Sequence, residues 1–136
     1  MSRPTGRRKV CDVGDARARH DKARQFLSLA KAAEGDEGDD TVRAAEASLL
    51  VGAGIAAVDA ICCIRLGERS ADGSHGAAVE LVARVDRAAA KRLQTLLSLE
   101  TAVQYGIRNP SKDQLAVARR AARALFDTAT EILDET

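Results

Sequence analysis

Arg69 and His75 are the two side chains whose types and spacing could carry out a reaction. They stand in the polar turn Gly67-Glu68-Arg69-Ser70-Ala71-Asp72-Gly73-Ser74-His75, with five residues between them. An imidazole titrates in the range needed to take a proton from a ribose 2′-hydroxyl. A guanidinium can grip a phosphate with two parallel hydrogen bonds and stabilise the charge that builds on it. A turn that runs into a helix adds backbone N–H groups facing an anion. Together these groups would suit cleavage of RNA without a metal. The same residues also fit a plain alternative, in which Arg69 pairs with Asp72 or Glu68 on the surface and His75 is a first-turn helix residue with no task.

Asp59 is the second residue of interest, because an ionised carboxylate in an apolar helix is costly without a partner. Arg65, six residues further along the same helix, cannot easily reach it. A partner from another element is expected, such as Tyr105, Arg92 or a second copy of the chain. Tyr105, the sole tyrosine, should pack its ring at the end of a helix with its hydroxyl at the surface. Asp59, Tyr105 and Arg65 are therefore held as supporting residues. Arg119 and Arg123, one helical turn apart, form a basic face and would line any groove that binds RNA or phosphate. No metal site is expected. Only His20 and His75 are available to join the cysteines, and no cysteine spacing suits zinc. A ferritin-like di-iron bundle needs Glu-x-x-His pairs, and neither histidine lies three residues after a glutamate.

The elements that must position these residues are helices. The 136-residue chain has 27 alanines, two phenylalanines and no tryptophan, a composition that favours helices packed at short distance. Residues 1–14 carry two glycines, a proline and the cluster Arg7-Arg8-Lys9, and are expected to be a flexible basic tail. Residues 15–136 are expected to form one domain. A first helix is read at about 15–33 from the stripe Ala23, Phe26, Leu27, Ala30 and Ala33. Two glycines and five acids then make a loop at 34–40. A second helix at about 41–66 is apolar on every face around Leu50–Val58, which marks it as the central helix. Its Gly52, Gly54, Ala56, Ala57 and Ala60 admit another backbone closely, in the same bundle or across a dimer interface. A short helix at about 75–85 follows, with Val85 among its inward residues, then a helix at 88–105. A last helix opens on the capping box Ser111-Lys112-Asp113-Gln114. The fold class read here is all-α: an antiparallel up-and-down bundle of four long helices and one short one.

Three segments resemble the HEPN superfamily (higher eukaryotes and prokaryotes nucleotide-binding), in particular its small stand-alone actinobacterial members. They are the helix end Asp59-Ala60-Ile61-Cys62-Cys63-Ile64-Arg65-Leu66-Gly67, the turn from Arg69 to His75, and Leu99-Glu100-Thr101-Ala102-Val103-Gln104-Tyr105-Gly106 before a capped final helix. The likeness covers about residues 17–135. It implies a helical bundle that often forms a homodimer. It also implies, in many members, a metal-independent ribonuclease site of an arginine and a histidine four to six residues apart, here Arg69 and His75. Such proteins are common in toxin–antitoxin and antiphage systems, often with a partner protein from a neighbouring gene. Other members act as non-catalytic binding modules.

The remaining composition bounds the partners. The 21 basic and 20 acidic residues nearly cancel, which speaks against nucleic-acid binding by bulk charge. Aromatics at 2% leave no base-stacking platform. No cofactor is expected. Cys11, Cys62 and Cys63 are odd in number and two are adjacent, so a reducing cytoplasm is the expected reading, with Cys62 and Cys63 as small core side chains. The basic N-terminus is followed by no apolar signal segment. The longest apolar stretch, Leu49–Ile64, is read as a core helix rather than a membrane span.

Overall fold

The computed structural model describes residues 7–71, 75–106 and 108–136. Helices dominate, and each of the four long ones begins where a short polar side chain satisfies free backbone N–H groups. Helix α1, Val13–Ala33, opens on a capping box. Asp12 accepts from the Asp15 N–H at 2.9 Å, and Asp15 accepts from the Asp12 N–H at 3.0 Å. A 3₁₀ turn, Glu34–Asp36, leads to α2, Asp40–Leu66, whose cap Asp39 accepts from Thr41 and Val42. Gly67, at φ 70°, closes α2 in the left-handed conformation that glycine adopts at little cost. Then come α3, His75–Ala83, and α4, Arg87–Tyr105, the latter capped by Asp86. The last helix, α5, Lys112–Asp134, carries the expected Ser111/Gln114 capping box.

The long helices alternate in direction. Arg19 meets Asp59 and Phe26 faces Gly52, so α1 runs antiparallel to α2. Glu46 meets Arg119 and Arg65 meets Glu135, so α5 runs parallel to α2. Helix α2 packs on α1, α4 and α5 at once and is the centre of the core, as its uniform apolarity requires. Close approach depends on its small residues. A Cβ placed on Gly54 would lie 2.3 Å from the Leu96 Cδ1 of α4. Helix α2 is long and apolar enough to cross a membrane by composition alone, but 72% of its apolar window is buried against the other helices. It is a core helix. Helix α3 ends at Ala83, earlier than its apolar pattern suggested, and Val85 is exposed.

Two expectations fail. Residues 8–14 are not a tail: Arg8–Val10 form strand β1, which pairs antiparallel with strand β2, Glu68–Ser70, with Lys9 opposite Arg69. Residues 1–6 of the expected tail lie outside the described residues. Cys62 and Cys63 are core residues as expected, but the absence of disulfides that the spacing implied does not hold. Cys11 and Cys63 form a disulfide that ties β1 to the last turn of α2, and Cys62 alone is free. Their separation of 52 residues hid the pair, because only the return of the N-terminal arm brings Cys11 to α2.

Candidate functional site

Asp59 projects from α2 and is 5% exposed. Its partner is Arg19 of α1, whose Nε–H donates to Oδ2 at 3.0 Å. Within the chain, Arg19 takes the role expected of Tyr105 or Arg92. Burial pushes the Asp59 carboxyl above the ordinary aspartate value, and the positive charges of Arg19, Arg69 and His75 act against that shift. The last two belong to the turn singled out in the sequence, so Asp59, Arg69 and His75 do share one electrostatic neighbourhood.

Arg69 occupies the middle of β2, half-buried, with Nη1 donating to the Ser70 carbonyl at 3.3 Å. Glu68 does not pair with it but with Arg8 of the opposite strand, at 3.1 Å. Asp72, the other expected partner, lies outside the described residues. Beside Arg69, the Ser70 hydroxyl is buried with no hydrogen-bond partner among the described residues. His75 begins α3 with its side chain 42% exposed, and its Nε2 lies 3.8 Å from Glu100 Oε2 of α4. It opens on a cleft of about 550 Å³ between α3 and α4, lined also by Glu80, Gln94, Ser98 and Thr101. The site therefore has an accessible imidazole whose nearest carboxylate lies beyond hydrogen-bond distance, and a guanidinium that is held on a strand and does not line the His75 cleft.

The other candidate residues lie elsewhere. Arg65 reaches Glu135 at the end of α5, at 3.0 Å. Tyr105 is 82% exposed, so its ring does not pack as expected. Arg119 is committed to an ion-pair cluster. It meets Glu46 through Nε at 2.5 Å and Nη2 at 2.7 Å, and Glu37 at 2.8 Å, with Glu34 3.6 Å away. Hydrogen bonds to Glu46 raise its already high pKa further. Arg123 stands 6.0 Å over the Phe126 ring and lines, with Arg119, Arg120 and Lys31, a separate pocket of about 310 Å³. Glu46 precedes Asp59 by 13 residues on α2, about 20 Å along the helix axis, so Arg119 cannot line a groove with Arg69.

Sequence reasoning missed Arg19 and Glu46. Glu46 was visible as an acid one turn before the apolar core of α2, but its partner lies 73 residues away. Among the described residues no group of three or more His, Cys, Asp or Glu side chains is placed to hold a metal. Comparison with family models, characterised proteins and solved structures gives no match to this chain.

Proposed function

We propose that this chain is a HEPN-like, RNA-directed module that cleaves RNA without a metal, using Arg69 and His75. The observation that carries this reading is the Arg19–Asp59 ion pair between α1 and α2, together with the positive charge that Arg69 on β2 and His75 on α3 exert on the buried Asp59. In the reaction, His75 takes the proton from a ribose 2′-hydroxyl, and that oxygen attacks the adjacent phosphorus. Arg69 stabilises the extra negative charge on the phosphoryl oxygens. The 5′-oxygen leaves with a proton, supplied by water or by the second imidazole of a homodimer, and a 2′,3′-cyclic phosphate remains. Asp59, paired with Arg19, holds Arg69 in place through its charge and does not touch substrate. A cytoplasmic site of action, a toxin–antitoxin or antiphage context and a partner protein from a neighbouring gene belong to the same proposal.

End-labelled RNA incubated with the protein in EDTA tests it. The wild type should cleave, and His75→Ala should lose about 10²–10⁴-fold in rate. An absence of cleavage by both proteins would reject the nuclease.

A non-catalytic interaction module is the second reading, and two observations favour it. Between α4 and α5 lies a mainly apolar groove of about 350 Å³, lined by Leu99, Ala102, Val117 and Ala118. In addition, Glu80 and Glu100 in the His75 cleft repel phosphate. Under this reading Val117→Arg abolishes self-association or partner capture, measured by sedimentation, with no change in any RNA assay.

A further inference from the structure

Cys11, buried where the N-terminal arm enters the core two residues before α1, is bonded to Cys63 in the last turn of α2. On one side is the three-residue strand β1, all of whose residues are exposed. On the other are the end of α2 and strand β2, which carries Arg69. Beyond the strand pairing, the Cys11 N–H donates to the Gly67 carbonyl at 3.0 Å and the Ala71 N–H to the Arg7 carbonyl at 2.9 Å. An exposed ion pair, Arg8–Glu68, adds to the contact. A two-stranded ribbon this short is not stable by itself in water. The disulfide ties the end of β1 to α2, and among the described residues β1 is the only strand that flanks β2.

We propose that the Cys11–Cys63 pair is a redox clamp, which opens in a reducing cytoplasm and closes when conditions turn oxidising, so that β2 and Arg69 are held in position only then. The closing step is thiol–disulfide exchange with a low-molecular-weight disulfide. The thiolate of one cysteine attacks it, forming a mixed disulfide and expelling one small thiolate. The second cysteine thiolate then attacks the protein-bound sulfur and expels the other. Two electrons and two protons pass from the cysteine pair to the small disulfide, which leaves as two thiols. Cys11 and Cys63 are themselves buried, so opening, the reverse exchange with a dithiol, proceeds when the arm parts locally from β2 and uncovers the sulfurs. The bystander Cys62 does not scramble the pair. Its thiol is buried next to Asp59 and Glu68, and burial above all pushes its pKa up to about 12, so the attacking thiolate is scarce.

The clamp stands on the strand pairing and the disulfide; its effect on RNA rests on the function proposed above. The test equilibrates the full chain in mixtures of reduced and oxidised dithiothreitol, alongside Cys11→Ser as a permanently open form. Three properties are read in each: tryptic cutting after Arg7, Arg8 and Lys9, helical circular dichroism, and RNA cleavage in EDTA. The clamp predicts at least tenfold faster cutting of the arm in the reduced protein and in Cys11→Ser, with the helical signal kept. RNA cleavage should fall at least tenfold in the same samples. An arm that stays protected after reduction overturns the clamp, as does loss of the whole helical signal, which would make the bond a structural staple. Equal RNA cleavage in both states overturns the control of Arg69. If no state cleaves RNA, the nuclease reading fails while the proteolysis still decides the clamp.

Discussion

His20 lies flat on the ring of Phe126, with centroids 4.6 Å apart, and contacts Thr130 Oγ1 through Nε2 at 2.7 Å. The Thr130 hydroxyl donates to the Phe126 carbonyl at 2.9 Å, so it accepts from His20, and the imidazole is the neutral Nε2–H tautomer. Burial first, then the Arg24 charge, lowers its pKa below 6.5; Asp21 and Asp134 act in the opposite sense. The unfolded chain thus binds the proton more readily, and stability falls as pH drops through 6.5 towards the lower folded value. Asp59 acts with the opposite sign, since its raised pKa favours the fold at acid pH. Urea unfolding of wild type and His20→Gln should therefore separate the two. The loss of stability between about pH 7 and pH 5 should be smaller in the variant. Glu46 sets a second test. It is 1% exposed, and removing its cation leaves a buried charge unpaired. Arg119→Ala should lower the unfolding free energy by about 3 kcal/mol in urea titration.

At the level of elements, the small residues of α2 fix how near its neighbours come. Adding a Cβ at Gly54 drives it into Leu96, which is wholly buried and has nowhere to move, with Leu125 only 3.4 Å off. At Gly52 the added Cβ meets the ring of the half-buried Phe26 at 3.2 Å, and that ring can yield outward. Alanine gains about 1 kcal/mol of helix propensity over glycine at either place, while overpacking a rigid core costs about 1–3 kcal/mol. Gly54→Ala should then lower the thermal midpoint, and Gly52→Ala should leave it unchanged or raise it. A scan in which both behaved alike would show that the α2–α4 contact is not the tight one. The sequence marked both glycines as sites of close approach but could not rank them, because ranking depends on which side chain faces each.

The whole molecule is closed by Cys11–Cys63. A cross-link of this span removes unfolded-chain entropy worth about 4 kcal/mol. Domains of this kind are stable by about 5–15 kcal/mol, so the reduced protein should remain folded with a urea midpoint clearly below that of the oxidised form. Unfolding curves that superimpose in the two states would show that the pair adds nothing to the fold. The same arm-to-core connection explains why Arg69 lies on a strand and not in an exposed turn. Its backbone partner comes from a segment whose composition reads as a solvated end.

The sequence by itself determined the helices and their order. Hydrophobic period, capping residues and glycine stops act within a few residues of one another, so they are legible in a single string. Uniform apolarity likewise marked α2 as the centre. The ion pairs Arg19–Asp59 and Glu46–Arg119, the β1–β2 ribbon and the disulfide were decided only by tertiary structure. Each joins residues 40 or more positions apart. Nothing in local propensity selects one arginine or cysteine among several; the packing of α1 and α5 on α2 does. The candidate site divides along the same line. The Arg69/His75 spacing was written in the turn, whereas the carboxylate that faces it, and the strand that holds it, came from the fold.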